Sequence, residues 1–203
     1  VVVSDAHLVG LSDPNQARMS RWLDQLLEAG IDELILLGDI FHHWWGYPGV
    51  VCADYVPICA ALLRVRTAGI PIRFVPGNHD FAAGPVFRES LGATISGPVA
   101  LTLAGRRFFF AHGDEADTST GYRLTRALLR GPVFAGLMRG LGPVRGMALL
   151  KKLAGSSREH MGDQQPLLEA QRAWAAPHLH DGAEFVVMGH VHWPGVVLSL
   201  IHI

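Results

Sequence analysis

Apolar residues fall in short blocks that stop abruptly at Gly, Asp, Asn or His. Residues 1–3 (Val-Val-Val), 34–37 (Leu-Ile-Leu-Leu), 71–75 and 184–188 are dense in β-branched and apolar side chains. Such runs read as strands of a parallel sheet covered on both faces. Between them the period changes to that of helices. Asp13-Pro14 places a capping acid and a first-turn proline before Met19, Trp22, Leu23, Leu26 and Leu27, and Gly30 closes the segment. A second helix is predicted over residues 52–68, stopped by Gly69, and a short one over 85–91. Residues 99–103 and 107–111 read as antiparallel strands joined by a turn at Gly105. From 119 to about 177 the pattern is helical, interrupted at Gly131-Pro132, Gly142-Pro143 and Gly155. Residues 196–203 read as one further strand. Strand–helix alternation predicts an α/β chain with right-handed crossovers. Its core runs over residues 1–118, a helical cap is inserted over 119–180, and the core resumes over 181–203.

Five of the predicted strands deliver side chains able to bind a metal: Asp5 and His7; Asp39; Asn78 with His79 and Asp80; His112; His190 and His192. An Asp after Gly, as in Gly38-Asp39, is by itself more often a turn cap. Recurrence of the device at five strand ends displaces that reading. Carboxylate and imidazole donors without thiolate favour Mn²⁺, Fe or Zn²⁺ over an all-oxygen site. The donors exceed what one ion can use. Two ions about 3.5–4 Å apart, sharing a carboxylate, would use them all and suit in-line attack at phosphorus.

Composition adjusts this picture in three places. The 203 residues are 49% hydrophobic, with mean hydropathy +0.25, yet charges, Gly or Pro interrupt every apolar run in the sequence. No run therefore reaches the ~20 residues of a membrane span, and no basic-then-apolar leader is read. Net charge of −1 speaks against a nucleic-acid partner. Two cysteines, Cys52 and Cys59, give no disulfide framework and fit a reducing cytosol. Charge is uneven, however. Residues 122–158 hold eight of the 17 Lys and Arg (Arg123, Arg126, Arg130, Arg139, Arg145, Lys151, Lys152, Arg158) and no acid. With Leu124, Leu128, Leu129, Phe134, Leu137, Met138 and Leu150 in the same stretch, an amphipathic surface for anionic lipid is expected. The last six residues, Leu-Ser-Leu-Ile-His-Ile, look like a translated sequencing adapter. The chain is therefore read as a truncated frame, with no role for His202.

Asp5-x-His7, Gly38-Asp39, Gly77-Asn78-His79-Asp80, His112-Gly113-Asp114 and Gly189-His190-x-His192 resemble, in order, the motifs of the calcineurin-like metallophosphoesterases. The resemblance implies a four-layer α/β/β/α sandwich with an inserted cap. It implies a first metal on Asp5, His7, Asp39 and His192, and a second on Asp39, Asn78, His112 and His190. It also implies metal-activated water, with His79 as proton donor or phosphate stabiliser and Asp80 orienting it. Gly38-Asp39-Ile40-Phe41-x-x-Trp44-x-Gly46 resembles the branch that hydrolyses UDP-2,3-diacylglucosamine in lipid A synthesis. That branch implies two Mn²⁺ ions, a lipid-linked nucleotide substrate, and a cytoplasmic enzyme peripheral to the bacterial inner membrane. It further implies substrate contacts at Asn78, His79, Tyr122, Ser157, Arg158 and His190. Its best-known members carry Arg at the position of His79. Two other expectations stand beside it: a phosphoesterase for soluble nucleotides or other phosphodiesters, and a non-catalytic metal-binding scaffold.

Overall fold

The computed structural model describes residues 1–158, 164–193 and 195–197. Its first sheet is built from β1 (Val2–Val3), β2 (Leu34–Leu36), β4 (Ile72–Phe74) and β6 (Thr94–Ile95), all parallel, in the order β1-β2-β4-β6. The helices α1 (Pro14–Ala29) and α2 (Val56–Thr67) supply its crossovers. Capping of α1 is as the sequence predicts. The Asp13 carboxylate accepts from the Asn15 amide, and Gly30 ends the helix at φ 71°. The helix expected over 52–68 begins instead with a 3₁₀ turn, Ala53–Tyr55, and that expected over 85–91 is a single π turn, Val86–Ser90.

The apolar run at 34–37 splits by strand alternation. Leu34 and Leu36 pack with Leu23, Leu62 and Val65 beneath α1 and α2, whereas Ile35 and Leu37 join Val75 and Phe110 on the other face. Phe110 belongs to the second sheet, in which β7 (Val99–Leu103) pairs antiparallel with β8 (Arg106–Ala111), and β8 pairs parallel with β9 (Phe185–Met188). The outer face of that sheet carries Phe109, whose ring meets His178 at 3.9 Å and Trp174 at 6.0 Å on α5 (Gln165–His180). Helices, sheet, sheet, helix is the four-layer order expected.

The segment expected as a cap therefore divides. Residues 165–180 close the sandwich, whereas α3 (Thr120–Leu129) and α4 (Pro132–Arg158) stand over a ribbon that pattern reading missed. That ribbon is β3 (Trp44–Trp45) paired with β5 (Asp80–Ala82). Phe134, Met138 and Leu150 bury against Tyr47, Trp45 and Phe81, and the Tyr47 hydroxyl donates to the Met138 carbonyl at 2.8 Å. Within α4, residues Pro132–Leu153 are long and apolar enough to cross a membrane by length and composition. Gly142, at φ 71° and ψ 175°, breaks that stretch before Pro143. Val196 and Val197 form no strand, and residues 198–203, His202 among them, lie outside the described residues.

Candidate metal centre

Loops after β1, β2, β4, β8 and β9 meet at one end of the sandwich, and Asp39 lies where they converge. Its carboxylate is buried, 1% exposed, with Oδ2 3.4 Å from His112 Nε2 and 3.8 Å from His7 Nε2. On one side, His7 Nε2 lies 3.0 Å from His192 Nε2 and 3.9 Å from Asp5 Oδ1, and His192 Nε2 lies 3.6 Å from Asp5 Oδ1. On the other, His112 Nε2 lies 3.2 Å from Asn78 Oδ1, and the His112 and His190 ring centres are 5.3 Å apart. Donor atoms of Asp5, His7 and His192 all fall within 4.8 Å of one another, as do those of Asp39, His112 and His190. All seven expected ligands are thus brought together, in two sets that touch at Asp39. A third group, His7, His42 and His79, meets the same distance criterion.

Local backbone geometry supports the convergence. Among the described residues, five non-glycine positions have positive φ, and four of them are Asp5 (53°), His7 (43°), Asp39 (53°) and His190 (71°). Left-handed backbone is costly for residues with a Cβ, so its concentration here marks a site held by its surroundings. Those surroundings are hydrogen bonds. The amides of Asp39 and Gly77 both donate to Asp80 Oδ2, at 2.8 and 3.0 Å, locking the β2 and β4 loops together. The His79 amide donates to Asp39 Oδ1 at 2.8 Å, and the His190 amide to Asp5 at 3.0 Å. Asp5 also accepts from the Ser4 hydroxyl, which reaches the Leu37 carbonyl at 2.7 Å as well.

Tautomers follow from these partners. His112 Nδ1 faces the Leu37 carbonyl at 2.9 Å, and His79 Nδ1 faces the His42 carbonyl at 2.6 Å. A carbonyl only accepts, so both Nδ1 atoms carry hydrogen and both Nε2 atoms are left for the site. This corrects one expectation: the His79 ring is oriented by the His42 backbone, while Asp80 acts on the Asp39 and Gly77 amides instead.

Burial opposes the charge on Asp39, but the His112, His79 and His7 imidazoles outweigh it and hold the carboxyl far below the ordinary range. Burial likewise opposes the cation on His112, yet Asp39, aided by Asp5 and the Leu37 carbonyl, raises it to about 10. Asp80 is pushed up to about 7 by burial and by the charge of Asp39, against the two amides it accepts from. Burial, and then His112, lower His190. A buried carboxylate that draws a proton onto its imidazole neighbour is a pair waiting for a cation, and the donor chemistry fits divalent metal.

Of the expected substrate contacts, Asn78, His79 and His190 stand at the centre. Tyr122 reaches it from α3: its hydroxyl donates to Asp114 Oδ2 at 2.8 Å, and its ring centre is 6.3 Å from that of His190. Side chains of Ser157 and Arg158 lie outside the described residues. Three further contributors were not expected at the site: Gln171 carried no signal in the sequence, and Arg126 and Arg130 were read only as part of the basic cap surface. Gln171 Nε2 on α5 donates to the Gly189 and Gly113 carbonyls at 2.9 and 3.3 Å. Arg126 pairs with Asp114 at 2.9 Å and with Glu115 at 3.6 Å, and Arg130 Nη2 donates to the Gly77 carbonyl at 2.6 Å. Two of the cap cations, in a segment that holds no acid of its own, are therefore partnered by acids and a carbonyl of the core.

The sequence profile of the calcineurin-like phosphoesterases matches residues 1–194. A UDP-2,3-diacylglucosamine hydrolase of Nitrosococcus oceani is 32% identical over 200 residues, covering 96% of this chain and 78% of that protein. One of Pseudomonas fluorescens is 30% identical over 203 residues, covering 97% and 80%. Among solved structures, a protein of unknown function from Aquifex aeolicus aligns with 95% of this chain and 78% of its own, at 15% identity and a TM-score of 0.46.

Proposed function

Because the chain belongs to the calcineurin-like phosphoesterase family, whose members are metal-dependent hydrolases, we propose that it cleaves the diphosphate of UDP-2,3-diacylglucosamine to UMP and 2,3-diacylglucosamine 1-phosphate. The observation that carries the chemistry is the meeting of two donor sets on one buried carboxylate, Asp39 Oδ2. The substrate comes from the relatives, which are named as hydrolases of that molecule.

Two divalent ions, Mn²⁺ by this reading, would be held by Asp5, His7, Asp39 and His192 and by Asp39, Asn78, His112 and His190, supplying Lewis-acid polarisation of the phosphoryl group and activation of water. The chain's own residues do the rest. His79, its Nδ1–H fixed on the His42 carbonyl, turns Nε2 to the site, where as an imidazolium it would donate to a phosphoryl oxygen or give its proton to the leaving phosphate. Asp80 holds the Asp39 and Gly77 loops in register. Asn78 presents its side-chain oxygen beside His112 and leaves its amide hydrogens for substrate.

Support for a lipid-linked substrate lies in the cap. A cavity of about 220 Å³ opens where α4 bends, lined by Trp45, Tyr47, Val50, Pro143, Val144 and Met147, an apolar seat of the kind an acyl chain needs. Trp44 lines it too, though the ring itself is buried in the core. Outside, Leu124, Leu128, Val133 and Leu137 are 49–77% exposed. With Arg123 and Arg139 exposed among them, they form a surface for the anionic cytoplasmic face of the inner membrane.

Purified protein loaded with Mn²⁺ should release UMP from UDP-2,3-diacylglucosamine at least a hundredfold more efficiently than it hydrolyses bis-p-nitrophenyl phosphate. Equal turnover of UDP sugars without acyl chains would favour a soluble nucleotide substrate. Tight metal binding with no phosphoester turnover would favour a scaffold.

A further inference from the structure

One face of α3, extended to its C-cap, bears Tyr122, Arg126 and Arg130, four residues apart, and all three contact loops of the metal centre. The first two are committed to acids. The Tyr122 hydroxyl and the Arg126 guanidinium converge on Asp114, which is fully buried, and Arg126 also meets Glu115. Arg130 differs. It spends one donor, Nη2, on the Gly77 carbonyl at 2.6 Å, and that carbonyl immediately precedes Asn78 and His79. The residue is otherwise exposed, and a guanidinium has five N–H donors in a rigid fork suited to phosphate. The Gly77 carbonyl thus fixes the fork at the rim of the site without neutralising it, since a neutral acceptor leaves the full positive charge.

A diphosphate diester carries a negative charge on each phosphorus. The two-metal centre serves the phosphoryl group under attack, and the adjoining one needs a cation of its own just outside. Resting on the function proposed above, we propose that Arg130 is the residue that binds this second phosphoryl group and thereby selects diphosphates over simple phosphodiesters. His79 stands beside the reacting phosphorus, Arg130 beside its neighbour, and both are held by the backbone of loops that meet at the metals, His42 in one case and Gly77 in the other.

The test uses the Mn²⁺-loaded protein hydrolysing bis-p-nitrophenyl phosphate, with UDP and UMP as competing inhibitors. Wild-type protein should bind UDP more tightly than UMP. Arg130→Ala should weaken UDP inhibition on the order of ten- to a hundredfold and leave UMP inhibition within about threefold. Metal content and kcat/KM for the small diester should persist, and Arg130→Lys should restore part of the UDP preference. With UDP-2,3-diacylglucosamine the loss should appear mainly in KM. If Arg130→Ala depresses diester hydrolysis and both inhibitors equally, the contact to Gly77 merely fastens the cap and the proposal is overturned. An unchanged UDP-to-UMP ratio overturns it as well. Failure of wild-type protein to turn over the lipid-linked substrate, with the UDP preference intact and lost in Arg130→Ala, would count against the parent reading alone.

Discussion

Replacing Asp39 with Asn changes one buried oxygen to an amide and keeps its shape, so it isolates the charge on which both donor sets meet. The size of the effect can be worked from His112. In the metal-free chain this imidazole is raised from 6.5 to about 10, with Asp39 the leading cause against the opposing burial. At 1.36 kcal/mol per unit, the folded surroundings of His112, Asp39 foremost among the raising groups, are worth on the order of 5 kcal/mol of differential interaction net of burial. The sign follows from linkage. A folded-state value above the unfolded one stabilises the chain fully below pH 6.5, and the gain is lost as pH rises from there through about 10. Asp39 itself is lowered, so its share is present above about 3.8 and fades only in strong acid.

Metal-free wild-type protein should therefore lose thermal stability as pH rises from about 6.5 to 10, whereas Asp39→Asn should start lower and stay flatter. A ¹H–¹³C titration of the His112 ring should find it protonated at pH 8 in wild type and neutral in the variant, where burial is opposed only by Asp5 and the Leu37 carbonyl. Metal uptake by wild type must displace that proton, so calorimetry in buffers of differing ionisation enthalpy should show proton release on loading. In Asp39→Asn, metal content should fall from two ions to one or fewer, and turnover by roughly a hundred- to a thousandfold. A variant that holds two ions and hydrolyses bis-p-nitrophenyl phosphate normally would refute the shared carboxylate.

Gly77→Ala would drive a methyl group into the Asp39 carboxylate and the His112 ring, both rigidly held; about 1–3 kcal/mol of stability and much of the bound metal should go, read by chemical denaturation and elemental analysis. His79→Ala should slow hydrolysis roughly 10²–10⁴-fold with two ions retained, and loss of metal would contradict its placement outside the ligand sets. Replacing the exposed Leu124 and Leu128 together with Gln should weaken sedimentation with vesicles containing anionic lipid while leaving bis-p-nitrophenyl phosphate turnover unchanged; unaltered vesicle binding would remove α3 from the membrane-facing surface.

What was legible in the sequence follows residue type and period. The run at 34–37 announces a strand covered on both faces because alternate residues feed two separate cores, Leu34 and Leu36 one way, Ile35 and Leu37 the other. The ribbon of Trp44–Trp45 with Asp80–Ala82 stayed hidden because two- and three-residue strands are too short to show a period. The place of α5 was hidden for a different reason. Its helical pattern is plain, but only the tertiary contact of Trp174 and His178 with Phe109 shows that it covers the second sheet rather than extending the cap. The site divides the same way. Asp and His at strand ends advertise themselves, since metal needs those side chains. The carbonyls of His42, Leu37 and Gly77, which set two tautomers and hold Arg130, belong to no residue type, so no motif reports them.

The motif glycines occupy a middle ground, and they explain why ligands and glycines recur together. Gly38 abuts the His112 ring and the Gly77 amide; Gly77 abuts the Asp39 carboxylate and His112; Gly189 abuts Ser4 and Asp5; Gly113 abuts Gln171 and the Gly189 carbonyl. Each glycine of one loop thus lies against a ligand, or a ligand's support, from another. Backbones this close leave no volume for a Cβ, and donor atoms within 4.8 Å across separate loops require backbones this close. A pairing such as Gly38-Asp39 or Gly189-His190 therefore states two halves of one condition. The acid or imidazole supplies the donor, and the glycine admits the neighbouring loop that brings the second donor into range. On that argument substitution at the glycines should remove metal as surely as substitution at the ligands, though through packing rather than through lost coordination.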